Sequence, residues 1–121
     1  MVPMVYTAAN QSLAMLEMFI QDQPPRARYV MIEARIPSPV TIERVRVEDL
    51  PSDWRDLGTR GKLQAIGAEW ARKRSAAVLV VPSAIVPAES NYLLNPLHRD
   101  FKRIKIGKPT TVETDLRLIR P

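Results

Sequence analysis

The residues best equipped for a reaction stand in one stretch, Val80-Val81-Pro82-Ser83-Ala84-Ile85-Val86-Pro87-Ala88-Glu89-Ser90-Asn91-Tyr92-Leu93-Leu94-Asn95-Pro96. An apolar run, Ala76 to Val81, stops at Pro82-Ser83, and a second, Tyr92-Leu93-Leu94, closes at Asn95-Pro96. A strand that ends on a serine, with an asparagine on proline-stiffened backbone a few residues later, presents a hydroxyl and an amide to a pocket. Loops on a rigid scaffold carry function more often than the scaffold does. Ser83 has no base beside it in sequence. The single histidine, His98, belongs to a later turn, so Ser83 reads as a hydrogen-bonding group and not as a nucleophile. A third polar group is Glu17, set between Leu16 and Met18. On its own it reads as a solvent-facing helix acid, and its apolar neighbours put it at the boundary of a buried face.

Composition narrows the chemistry. The chain has no cysteine, which excludes disulfide scaffolds, thiolate metal sites and cysteine nucleophiles and fits a reducing cytoplasm. One histidine does not make a structural zinc site, and no metal is expected. No apolar run approaches the ~20 residues that span a bilayer, and Met1 to Tyr6 lacks the basic and apolar regions of a signal peptide. The net charge of +5 favours anionic partners in general. The cations are spread over several segments with acids between them, which reads as a solvated basic surface. No helix–turn–helix, zinc finger or interleaving of aromatic and basic residues points to direct nucleic-acid contact.

Elements that position these groups follow from the pattern of the 121 residues, which predict one domain over 1–121. Met4-Val5-Tyr6 is a short strand. Asn10 or Ser12 caps a helix from Gln11 to Ile20, with Leu13, Leu16, Met18, Phe19 and Ile20 at helical spacing. Pro24-Pro25 forces a loop. Tyr29 to Ile36 reads as a strand, and Val40 to Val47 as another with one wet face. Trp54 anchors a turn-rich connection. Thr59 caps a second helix to Arg74, with Leu63, Ile66, Gly67, Trp70 and Ala71 inward and Arg72-Lys73-Arg74 complementing its dipole. Leu97 to Ile104 is a turn with room for one helical turn. Arg103 to Lys108 and Thr110 to Arg120 complete the strands. The predicted class is α+β: a mixed, mostly antiparallel sheet with two main helices packed on it.

The central stretch resembles the signature of the RES domain family, the toxin half of RES–Xre toxin–antitoxin pairs. Further segments match in the same order: Met4-Val5-Tyr6-Thr7, Leu13-Ala14-Met15-Leu16-Glu17, Leu50-Pro51-Ser52-Asp53-Trp54-Arg55, and His98-Arg99-Asp100-Phe101-Lys102-Arg103-Ile104. The resemblance implies a fold like that of ADP-ribosyltransferases. It also implies a cytoplasmic, growth-arresting toxin that degrades NAD and releases nicotinamide, passing ADP-ribose to water, phosphate or a protein. NAD would be substrate, with phosphate as a possible co-substrate and no resident cofactor. By the same resemblance Glu17 and Ser83 are the catalytic pair, and Tyr6 and Asn91 line the NAD pocket. The partner is an Xre-type antitoxin, which makes any DNA contact, and a homodimer within the complex is compatible with the family. The family arginine lies before the tyrosine motif, and residues 1–5 contain none. An N-terminally shortened domain is therefore expected, and the alternative to an active toxin is a catalytically weak module that still binds the antitoxin.

Cleavage of the nicotinamide–ribose bond passes through an oxocarbenium-like state, as glycoside cleavage does. In that setting Glu17 would stabilise the positive ribose, Tyr6 would stack on the charged nicotinamide ring, and Ser83 would hold a carboxamide or ribose oxygen.

Overall fold

The computed structural model describes residues 3–56 and 60–118. The Thr59 cap and the far end of the predicted last strand lie outside the described residues. Among the described residues the strands and α-helices follow one another as β1 Val5–Ala8, α1 Gln11–Gln21, β2 Arg28–Met31, β3 Ala34–Arg35, β4 Ile42–Arg44, α2 Arg60–Lys73, β5 Val78–Pro82, β6 Ser90–Leu94, β7 Lys105–Ile106 and β8 Thr110–Glu113. The main sheet has the order β1-β6-β5-β4. Its β1–β6 and β5–β6 pairs are antiparallel and β4–β5 is parallel. The parallel pair follows from its connection, because β4 and β5 are joined through α2 in a βαβ crossover. Two antiparallel ribbons, β2–β8 and β3–β7, stand beside the main sheet. This is the expected α+β class with a mixed, mostly antiparallel sheet and two main helices.

β5 is the central strand, and its unbroken apolar sequence is what burial on both faces requires. Leu79 packs on the α2 side with Leu93, Trp70 and Ala71. Val78 and Val80 pack on the opposite side with Leu94, Val40, Ala77 and Ile104. Alternate residues of one strand thus serve two cores. Gly67 lets α2 come close, since a β-carbon there would sit 3.1 Å from a Leu93 methyl.

Asn95 and Asp100 lock the far end of this scaffold. The buried Asn95 side chain donates to the Ala71 carbonyl at 3.0 Å and accepts from the Leu97 amide at 3.0 Å. Asp100, also buried, accepts from the Thr41 amide (3.4 Å) and hydroxyl (3.2 Å), and its own amide donates to Nδ1 of His98 at 3.0 Å. Desolvation pushes the Asp100 carboxyl up. The Thr41 bonds and the positive charge of Arg103 outweigh it and hold the carboxyl below its ordinary value. The His98 segment is therefore a structural lock on the start of β4.

Several elements depart from the sequence expectation. The predicted strand 29–36 is two short strands with different partners, parted at Ile32-Glu33, where the Glu33 carbonyl turns aside to accept from Gly107 (2.7 Å). The predicted strand 40–47 is only Ile42–Arg44. All three of its residues are exposed, because it is an edge with one neighbour. β8 ends at Glu113, one step beyond which the Thr114 amide still donates to the Ala27 carbonyl, its next register partner, and the Thr114 hydroxyl turns to the Arg26 carbonyl, both at 2.8 Å. α2 stops at Lys73, where Arg74 takes the left-handed conformation (φ 52°) of a helix terminus. In α1 only Leu13 is buried, whereas Leu16, Met18 and Ile20 are exposed. Among the described residues no helix is long and apolar enough to cross a membrane.

Candidate active site

Glu17 and Asn91 meet. Asn91 Nδ2 donates to Glu17 Oε2 at 2.5 Å, across 74 residues of sequence. Asn91 lies on β6, where its register partners are Ala8 on β1 and Val81 on β5. Glu17 comes from α1, which starts at Asn10: that side chain accepts from the Leu13 amide at 2.9 Å, the role expected of an N-cap asparagine. A carboxylate on a helix and an amide on a central strand are both held by regular structure, which fixes their geometry better than loops would. The bond is charge-assisted, so it orients the carboxylate strongly. Asn91 Oδ1 is buried with no partner among the described residues.

Tyr6 stands on the same sheet face. It pairs with Leu93, two rungs from Ala8–Asn91, and residues two apart on a strand share a face. The residue is 62% exposed, so a tyrosine is open to a ligand on the sheet face that carries Asn91. Tyr6 also borders a cavity of about 390 Å³ between α1 and β2, shared with Met15, Met18, Phe19 and Tyr29. Phe19 and Tyr29 meet edge-on at 6.2 Å, and the Tyr29 hydroxyl donates to Asp22 at 2.9 Å, which secures the C-terminal end of α1 to β2. Glu17 is on another face of α1, toward β6, and does not border this cavity.

Ser83 is placed differently. It is fully buried, and its hydroxyl oxygen accepts from the amides of Ile85 and Val86, both at 3.1 Å. This is the turn chemistry that serine hydroxyls perform for nearby backbone. The Ser83 amide donates to the Glu89 carbonyl at 2.9 Å, which continues the β5–β6 ladder one step past Pro82–Ser90. The hydroxyl thus shapes the hairpin that carries Asn91. Arg55 ties the L-P-S-D-W-R segment to the same hairpin, with Nε donating to the Ala84 carbonyl at 2.8 Å, while Trp54 beside it is buried.

Sequence reasoning named Tyr6, Glu17 and Asn91, which the structure brings to one region, and Ser83, which it puts beneath the adjoining turn. Sequence reasoning passed over Asn10 and Glu89, which bond to each other: Asn10 Nδ2 donates to Glu89 Oε1 at 2.8 Å. Asn10 was legible only as a helix cap. Its second bond depends on tertiary placement that no local pattern encodes. Among the described residues no cluster of three or more metal-binding side chains occurs.

Comparison with known proteins gives this geometry a family. The RES domain matches residues 1–116. The chain is 37% identical, over 98% of its length and 76% of the relative's, to a protein of Sphingobium sp. (strain YBL2) named Prs ADP-ribosylating toxin. It is 36% identical to the Toxin Res of Photorhabdus laumondii, over 98% of this chain and 77% of that one. It is also 36% identical to the Toxin Res of Yersinia enterocolitica, over 81% of this chain and 65% of that one. A domain match across nearly the whole chain, with relatives this similar, shows that the chain belongs to the RES domain family.

Proposed function

We propose that this protein is a RES-type toxin that degrades NAD in the cytoplasm and releases nicotinamide. The observation that carries the reading is the Glu17–Asn91 hydrogen bond, a carboxylate fixed by an asparagine whose sheet face also carries the exposed Tyr6. In the reaction, the bond between the ribose C1′ and the nicotinamide nitrogen breaks and its electron pair stays with nicotinamide, which leaves neutral. The ribose carbon becomes oxocarbenium-like. Glu17 stabilises that charge, and Asn91 keeps the carboxylate aimed through the bond from Nδ2. Tyr6 stacks on the nicotinamide ring while it is still cationic. An oxygen of water or phosphate then bonds to C1′ and gives up its proton, yielding ADP-ribose or its 1″-phosphate. Ser83 supports the site from beneath, by holding the hairpin that carries Asn91. Expression in a bacterial host without an antitoxin tests this reading. The wild-type chain lowers cellular NAD and arrests growth, whereas Glu17→Ala does neither; equal NAD in the two cultures would overturn it.

A second reading is an interaction module that holds an Xre-type antitoxin with little turnover of its own. It is favoured by the apolar residues that α1 leaves exposed, Leu16, Met18 and Ile20. On this reading DNA is reached through the antitoxin, and a homodimer is compatible with the complex. Co-purification with the cognate antitoxin that is lost in Leu16→Asp/Ile20→Asp supports it; undiminished co-purification removes the surface from consideration.

A further inference from the structure

Helix α1 is tied to the β5–β6 hairpin at two points. At its start, Asn10 Nδ2 donates to Glu89 Oε1 at 2.8 Å; two turns later, Glu17 accepts from Asn91 Nδ2. The spacings agree with this arrangement. Residues 10 and 17 are seven apart, close to two helical turns, and so fall on one side of α1. Glu89 closes the turn that leads into β6, two residues before Asn91. The backbone reinforces the first point, because the Ala9 amide donates to the Ser90 carbonyl at 3.1 Å.

Both partners of the first tie are themselves fixed. Asn10 spends its side-chain oxygen on the Leu13 amide, so one amide group both caps the helix and anchors it. Glu89 has its amide on the Val86 carbonyl (2.8 Å) and its carbonyl on the Ser83 amide (2.9 Å). The turn from Ser83 to Val86 is held in its own right by the Ser83 hydroxyl. A continuous series of bonds therefore runs from Ser83 through Glu89 and Asn10 to the helix that carries Glu17. A helix tied at one point can pivot about it; a second tie two turns away removes that freedom.

From this geometry we infer that Asn10 and Glu89 are positioning residues, which set the angle at which α1 presents the Glu17 carboxylate to the substrate. The inference deepens the reading of Glu17 as the group that faces the ribose, and it rests on that reading for its catalytic consequence. Its structural content is independent: Asn10 acts on Glu17 through the helix, with Glu89 as its counterpart.

The test separates anchoring from capping. In Asn10→Asp the cap survives, since aspartate accepts from the Leu13 amide as well as asparagine does, but the donor to Glu89 is replaced by a second carboxylate. In Asn10→Asp/Glu89→Gln the bond is rebuilt with donor and acceptor exchanged. Glu89→Gln alone retains a bond from Asn10 and serves as the control. Two measurements are made on the four proteins: kcat and KM for nicotinamide release from NAD, and the side-chain amide signals of Asn91 in a nitrogen–proton NMR spectrum. The expected result is a roughly ten-fold fall in kcat for Asn10→Asp, a misorientation effect. KM and the melting temperature change little. The Asn91 side-chain signals shift, and the double variant returns rate and signals to near the wild-type values. Unmoved Asn91 signals in Asn10→Asp, or signals that the double variant fails to restore, would overturn the inference. If no protein in the set releases nicotinamide, the proposed activity fails while the NMR arm still decides whether Asn10 and Glu89 position Glu17.

Discussion

A double-mutant cycle on Glu17 and Asn91 measures the contact on which the site depends. The bond joins a neutral amide donor to a carboxylate at 2.5 Å in a half-buried setting, a class worth about 1.5–3 kcal/mol. Asn91→Ala removes that bond. It also removes the buried Oδ1 that has no partner, and shedding an unsatisfied acceptor restores about 1 kcal/mol. The net loss of folding stability expected for Asn91→Ala is therefore about 0.5–2 kcal/mol. Glu17→Ala keeps the asparagine and leaves its amide with neither atom bonded, so its cost is expected to be larger, about 2–3 kcal/mol. The double variant removes both partners and costs less than the sum of the two, because neither change then strands the other group. The expected coupling is about 1.5–2 kcal/mol. Urea unfolding of the four proteins, followed through Trp54 and Trp70, gives each term from the midpoint at constant slope. Both indoles are buried, so their emission reports loss of the core. Coupling below about 0.5 kcal/mol, the usual scatter for independent sites, would show that the two side chains do not hold one another in solution. The assignment of Asn91 as the group that orients Glu17 would then fail.

Three further outcomes follow from the same bonds. Ser83→Ala strips the Ile85 and Val86 amides of their acceptor and is expected to lose about 1–3 kcal/mol of stability in a urea titration; a loss under 0.5 kcal/mol would contradict a structural role for the hydroxyl. Asn95→Ala leaves the buried Ala71 carbonyl without its side-chain donor and the Leu97 amide without its acceptor, which costs about 2–3 kcal/mol and shows as a drop in melting temperature of about 10 °C. Asp100, held below its ordinary pKa, contributes stability that is complete above that ordinary value and disappears as pH falls through its lowered value in the folded protein. Asp100→Asn should accordingly be less stable than wild type at neutral pH, with the gap narrowing in acid; a gap independent of pH would refute the assignment.

What the sequence made legible was whatever local pattern controls. The run Ala76 to Val81 reads as a buried strand because every residue in it is apolar, and it became the centre of the sheet. Asn10 reads as a helix cap because its side chain satisfies an amide three residues away. Tyr6, Glu17 and Asn91 were named through family motifs, and the structure puts the latter two in contact. Illegible features were those decided at long range. Nothing in residues 29–36 says that its halves pair with β8 and β7, some 70 to 85 residues later. The exposure of Leu16, Met18 and Ile20 depends on what lies against α1, not on their own spacing. Ser83 looked like a group offered to a pocket because it ends a strand; its hydroxyl was taken by the two amides that follow, a turn whose formation depends on how the hairpin closes.

The most direct test of the central claim is nicotinamide release by the purified protein incubated with NAD, with and without phosphate, followed by chromatography. The account predicts nicotinamide in stoichiometric balance with ADP-ribose or its 1″-phosphate, and a loss of at least a hundred-fold in Glu17→Ala, about 2.7 kcal/mol in the barrier. Nicotinamide no higher than in the Glu17→Ala protein under both conditions would contradict it.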